Sequence, residues 1–149
     1  MDVLDSPTAL LTLAVVLVAS GGAAWWLRRS GRRLSSDRLP RSVADARLVP
    51  EDLGAPLGER ATLVQFSTAF CQPCRATRRI LADVSSTVPG VAHVEVDAES
   101  NLDLVRRLDV RRTPTVLVLD AAGHIVRRAS GQPRTVDVVA ALGAAVGDS

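Results

Sequence analysis

Leu63-Val64-Gln65-Phe66-Ser67-Thr68-Ala69-Phe70-Cys71-Gln72-Pro73-Cys74 is the stretch from which the fold can be read. Thr62 to Phe66 is a short, mostly apolar run, consistent with a buried strand. The loop Ser67 to Phe70 follows, and Cys71 to Ser86 reads as a helix. Ala76, Ile80, Leu81, Val84 and Val88 recur there at helical spacing, while Arg75, Arg78 and Arg79 keep to the other face. Pro73 falls in the first turn, where its missing N–H costs no hydrogen bond. Cys71 would then stand at a helix N-terminus, whose unpaired N–H groups and dipole favour a thiolate. Cys74 follows one turn later, close enough to close a small ring.

Outward from this stretch the pattern alternates. Pro89-Gly90 breaks the helix, and Val91 to Asp97 alternates as a strand does. Asn101 to Leu108 is a short amphipathic helix carrying Leu104, Val105 and Leu108. Thr115 to Leu119 is a continuous apolar strand. Ala121-Ala122-Gly123-His124 is a turn, with Ile125 to Ala129 as its hairpin partner. Thr135 to Val146 is a final helix with Val138, Val139, Leu142 and Val146 on one face. Before the central strand, Ala46 to Val49 is expected as a first strand closed by Pro50, and residues 50–60 hold a short helix at most. The resulting order, (β)–β–α–β–α–β–β–α, predicts an α/β fold with a central mixed sheet flanked by helices on both faces.

The chain has 149 residues, enough for one domain with something attached. Aromatics make up only 3%, so the core must be built from Val, Leu, Ile and Ala. All 18 basic residues are Arg. A net charge of +2 does not argue for nucleic acid, and no aromatics interleave the arginines. The two cysteines, three positions apart, form no disulfide framework. Three readings of the pair are open: redox chemistry, buried core thiols, and half a metal site. Zinc wants about four ligands, and only His93 and His124 could join, without metal-ligand spacing.

The N-terminal part is of another kind. Ala9 to Leu27 reads ALLTLAVVLVASGGAAWWL, with Thr12 and Ser20 its only polar side chains. As a helix it would reach about 28 Å, close to the hydrocarbon core of a bilayer. A single-pass anchor, a cleaved signal peptide and a buried core helix compete. The acidic start, Met1-Asp2-Val3-Leu4-Asp5, argues against the signal peptide, and apolarity all round argues against the core helix. The expected organisation is a flank over 1–8, a transmembrane helix over 9–27, a basic juxtamembrane linker over 28–43 and a domain over 44–147. Arg28, Arg29, Arg32, Arg33, Arg38 and Arg41 follow the apolar run, and two Asp precede it. The positive-inside rule then places the domain in the cytoplasm.

Over roughly residues 44–147 the sequence resembles the thioredoxin superfamily. The matching stretches are Leu63 to Phe66, Phe70 to Arg75, Val91 to Asp97, and Val110-Arg111-Arg112-Thr113-Pro114-Thr115. C-x-x-C alone is a weak signal. C-x-P-C after an apolar strand, with Thr-Pro-Thr about forty residues later and before another apolar strand, is strong. The resemblance implies that Cys71 and Cys74 are catalytic and that Pro114 is cis and lies against them. It implies that Thr113 offers backbone groups to an extended substrate segment, and that Phe70, Gln72, Pro73 and Gly131 also border the substrate. Three departures stand out. The family's buried acid falls on Gln65, the Lys beside that acid falls on His93, and the usual Trp before the first Cys is Phe70. Gln65 cannot accept a proton, so His93 becomes the candidate proton-handling residue.

The function implied is thiol–disulfide exchange, in a membrane-anchored protein-disulfide reductase. Its partners would be disulfide-containing proteins, an upstream reductant and the membrane; no nucleic acid, metal or organic cofactor is implied, and a monomer is expected. Two alternatives keep the fold: an extracytoplasmic reductase of the cytochrome-maturation type, against which the Arg cluster argues, and an adaptor that binds a partner in the same groove with redox activity incidental.

Overall fold

The strand before the cysteines is β1, Ala61–Ser67, and all of its residues are buried. The structure, a computed structural model, describes residue 43 and residues 45–147. β1 lies inside a four-stranded sheet of order β2-β1-β3-β4. It runs parallel to β2, Val91–Asp97, and antiparallel to β3, Thr115–Asp120. β3 in turn pairs antiparallel with β4, Ile125–Ser130. The two inner strands are therefore the ones with continuous apolar runs, and the outer two carry the polar alternation.

Among the described residues four helices pack with this sheet: α1 Pro50–Leu53, α2 Gln72–Thr87, α3 Leu102–Arg107 and α4 Thr135–Gly147. The pleat of β1 sends alternate side chains to opposite faces. Val64 and Phe66 enter a core with Leu53, Leu104 and Leu108. Leu63 enters the other core, with Leu81 and Val84 of α2 and Val138 and Leu142 of α4. The mixed sheet with helices on both faces is the architecture expected.

The structure corrects three details. Ala46 to Val49 does not join the sheet as a first strand. Arg47 makes one isolated bridge to His124, the Leu48 N–H bonds the Gly123 carbonyl at 2.9 Å, and Arg47 Nε donates to Ala122 O at 2.6 Å. The segment thus caps the β3–β4 turn, and Pro50 starts α1 before any ladder can grow. Gly123 is required there: its φ is +90°, and a Cβ would stand 2.1 Å from the Leu48 carbonyl oxygen. On α4, Val139 is half exposed, and the buried stripe is Val138, Ala141, Leu142 and Ala145. Small alanines let this helix lie close, which turns Val139 outward. On α2 the buried stripe is Cys74, Thr77, Leu81 and Val84, with Ala76 and Ile80 only half buried.

The apolar run 9–27 and the linker up to residue 42 lie outside the described residues. Among the described residues no helix is long and apolar enough to cross a membrane.

The C-terminal end of α3 is closed by a group the periodicity does not reveal. Arg128 of β4 is buried and donates to the Leu108 and Asp109 carbonyls, each at 2.6 Å. Asp109 itself has φ +49°. The guanidinium satisfies carbonyls that a helix end leaves unpaired and places a cation at the negative end of the helix dipole. Arg128→Met should keep the apolar stem but orphan both carbonyls. It is expected to lower stability by about 2 kcal/mol in urea titration, with redox activity of the folded fraction unchanged.

Candidate functional site

At one end of the sheet, register brings distant segments together. Ser67 ends β1 opposite Asp97, Phe66 pairs with Thr115, and Thr115 pairs with Ser130. The loops that follow Ser67, precede Thr115 and follow Ser130 must therefore converge at that end. They carry the cysteines, Pro114 and Gly131.

Cys71 is the N-cap of α2, with extended backbone, and its N–H bonds the Thr68 carbonyl at 3.3 Å. The helix then starts as its sequence requires: Pro73 occupies the first turn, and the Cys74 N–H bonds the Cys71 carbonyl at 3.1 Å. The two cysteines are joined in a disulfide, with Cα atoms 5.3 Å apart. Their surroundings differ sharply. Cys71 is half buried, whereas Cys74 is 1% exposed. Phe70 is 96% exposed, and Gln72 and Pro73 are exposed beside it. A ring so fully in water offers a large apolar area to any surface that covers it.

The Thr113–Pro114 bond is cis. Thr113 and Thr68 share a hydrogen bond between hydroxyls at 3.3 Å, tying this loop to the one that leads into Cys71. Thr115 Oγ1 donates to the Arg112 carbonyl at 2.7 Å. The Gly131 N–H bonds the Pro114 carbonyl at 2.7 Å, and Gly131 has φ +96°, a conformation glycine adopts without strain. Phe70, Cys71, Gln72, Pro73, Thr113, Pro114 and Gly131 thus lie on the loops, and on the first turn of α2, that converge at this end of the sheet.

Below the dithiol, Gln65 is fully buried. Its Nε2 donates to the Cys74 carbonyl at 2.9 Å and to Ser67 Oγ at 2.8 Å, and its Oε1 has no protein partner. His93 is half buried, and its Nε2 is likewise buried without a partner. The register places Leu63 beside His93 and Glu95 beside Gln65, so His93 is a diagonal neighbour of Gln65. Burial holds the His93 pKa below the usual imidazole value, partly offset by the Glu95 carboxylate. Glu95 is gripped by Arg78, whose Nε and Nη2 donate to its two oxygens at 2.6 Å each. Arg78 holds its carboxyl below the usual carboxylate range against the opposing effect of burial, and Ser67 adds to that lowering.

Ser67, Arg78 and Glu95 escaped sequence reasoning, because a strand-end serine and an exposed-face arginine carry no motif. The one signal that could have found Glu95 is the alternation of β2, which sets residues 93 and 95 on one face. Thr77 was also missed; it is buried and donates back to the Pro73 carbonyl at 3.0 Å. Among the described residues no group of three or more His, Cys, Asp and Glu could hold a metal ion.

Comparison with known proteins agrees with this geometry. The family model described as Thioredoxin matches residues 52–143, more than half of the chain. Thioredoxin H4-1 of Oryza sativa subsp. japonica is 29% identical over 84 residues, covering 56% of this chain and 64% of that protein. Thioredoxin H5 from the same source is 33% identical over 60 residues, covering 40% of this chain and 44% of that protein. The chain thus spans less than two thirds of the length of these relatives. Among solved structures, a mutant thioredoxin from Halobacterium salinarum superposes with a TM-score of 0.55 at 18% identity, over 59% of this chain and 76% of that one. Thioredoxin NaTrxh from Nicotiana alata gives 0.53 at 22% identity, over 59% and 75%. At these identities the likeness to solved structures is one of fold. The family match, the Cys71-Gln72-Pro73-Cys74 disulfide at the start of α2 and the cis-proline loop tied to its approach lead to one conclusion: the chain belongs to the thioredoxin family.

Proposed function

We propose that this protein is a thiol–disulfide oxidoreductase that reduces disulfides in other proteins. The observation that carries the reading is the asymmetry of the pair: Cys71 is partly exposed at a helix start beside the bare Phe70 ring, and Cys74 is buried one turn below. In the reduced form, the Cys71 thiolate attacks a target disulfide. A Cys71–target disulfide forms, and the other target sulfur leaves as a thiolate. Cys74 then loses its proton and attacks the Cys71 sulfur, which forms the internal disulfide and releases the second target thiol. A dithiol reductant restores the pair. The Phe70 ring and the loop at Thr113 provide the docking surface for an extended target segment.

The same proposal places the domain on the cytoplasmic face of a membrane, held by residues 9–27. Its support is the nineteen-residue apolar run followed by six arginines, with two aspartates before it.

Three outcomes are expected. In insulin reduction and in trapping from cell extracts, Cys71→Ser is inactive and forms no adduct, whereas Cys74→Ser attacks and stalls as a mixed disulfide. Adducts on Cys71→Ser and none on Cys74→Ser would reverse the two roles. For proton transfer, burial keeps His93 neutral near pH 7 and able to accept a proton. His93→Ala should slow resolution of the mixed disulfide by about tenfold near pH 7 and leave the first attack unchanged; stopped-flow measurement of each step checks this. Equal resolving rates would make His93 a packing residue. For topology, intact right-side-out cells are treated with a permeant reductant and then a membrane-impermeant thiol reagent. Cys71 should stay unlabelled until the membrane is opened, and labelling of intact cells would overturn the cytoplasmic placement.

A further inference from the structure

The carboxylates around the cysteine end of the sheet are shared unevenly among its arginines. Arg78 donates to both oxygens of Glu95, Arg134 to both oxygens of Asp137, and Arg111 Nε to Asp109 at 2.8 Å. Arg75, Arg79 and Arg112 are exposed, and among the described residues their guanidinium groups have neither an ion-pair nor a hydrogen-bond partner. Two of these three adjoin the reacting groups: Arg75 follows Cys74, and Arg112 precedes the Thr113-Pro114 pair.

Backbone bonds fix where both stand. Thr115 Oγ1 donates to the Arg112 carbonyl at 2.7 Å, which keeps residue 112 at the start of β3. β3 is the neighbour of β1 in the sheet, so this point lies about 5 Å to one side of the strand that leads to Cys71. The Thr68–Thr113 hydroxyl bond ties the two loops together there. Arg75 comes four residues after Cys71, on the same face of α2 and about 6 Å further along its axis. The dithiol therefore has one cation without a counter-ion on its β3 side and another on its α2 side. The acids Asp97 and Glu99 stand at the end of β2, with β1 between them and Arg112.

We propose that Arg112 and Arg75 select target segments that carry carboxylates beside the reacting cysteine. The proposal rests on the exchange reaction proposed above and adds to it the class of target. A segment whose main chain pairs with Thr113 brings the residues next to its cysteine alongside residue 112, because paired strands lie about 5 Å apart. A planar guanidinium grips a carboxylate through two parallel bonds. Docking against the bare Phe70 ring also excludes water from these contacts, which makes them stronger than ion pairs on an open surface. Lysines in the same places would meet like charge with no acid of this chain to relieve it, which disfavours the wrong target.

The test uses two disulfide peptides of one sequence, with Glu on both sides of the reacting cysteine in the first and Lys in the second. A single turnover of the pre-reduced, full-length protein is followed by stopped flow. Each rate is divided by that of the same peptide with dithiothreitol, which removes the effect of the flanking charges on the disulfide itself. At low salt the Glu peptide is expected to react about tenfold faster than the Lys peptide. In about 0.5 M NaCl that ratio should fall toward one, because exposed charges are screened. Arg112→Glu should slow the Glu peptide and speed the Lys peptide, and adding Arg75→Glu should invert the preference. A gain with the Lys peptide cannot come from misfolding. Arg111→Gln, at a guanidinium already held by Asp109, should leave the ratio within about twofold. Equal rates for the two peptides, a ratio indifferent to salt, a ratio unmoved by Arg112→Glu, or an equal response to Arg111→Gln would each overturn the proposal. Failure of the underlying reaction is distinguishable, since neither peptide would then be reduced. Binding of the same two segments with Ser in place of Cys, followed at the arginine Nε–H signals by ¹⁵N NMR, decides the docking in that case: tighter binding of the Glu segment supports it, and equal binding overturns it.

Discussion

Gln65 donates from one nitrogen to the Cys74 carbonyl and to Ser67 Oγ, at a place from which water is excluded. The first turn of α2 depends on that contact. Helix starts are usually docked by apolar contacts from later turns, and here those are Leu81 and Val84, two turns and more beyond the cysteines. Cys74 itself is small and offers little area. An apolar residue at position 65 would fill the same volume but remove this bond, at a cost of about 1 kcal/mol. The amide accepts a cost of its own, since its Oε1 finds no protein partner. The central strand thus grips the redox turn by a polar contact inside an otherwise apolar layer.

The approach to the dithiol is held by a different set of bonds. The Thr68–Thr113 hydroxyl pair and the Gly131-to-Pro114 bond fasten three loops to one another. Neither uses a charge, so salt does not screen them. The exposed arginines nearby, Arg75 and Arg112, lie outside this fastening. Rigidity of the groove and electrostatic character of its rim are consequently separate properties, carried by different side chains.

Most of the fold was legible because its signals are local. Continuous apolar runs marked the inner strands, alternation marked β2, and helical spacing marked α2. The cysteine motif and the Thr113-Pro114 pair needed the resemblance to a family, since neither proline isomer nor loop proximity follows from propensity. What remained hidden was long-range. Arg47 and Leu48 looked like a strand because their composition suits one, but their partners are the turn at Ala122 to His124. Val139 looked buried because a one-residue change of phase costs nothing in periodicity when alanines share the face. The neighbourhood of Gln65, His93 and Glu95 follows from a register that no single segment encodes.

Two kinds of joint hold the domain's charged residues, and they respond differently to acid. The Glu95 carboxyl, held low by Arg78, and the Asp137 carboxyl, held low by Arg134, support the fold above the ordinary carboxylate pKa. That support is lost as pH falls through their lowered values. Arg128 bonds only backbone carbonyls, so no carboxylate takes part in that joint. Acid therefore withdraws support from the seam between α2 and β2 and from the first turn of α4, as it does from the Asp52 and Asp120 carboxyls, which are also held low, while the clasp of β4 on α3 has no carboxylate to lose.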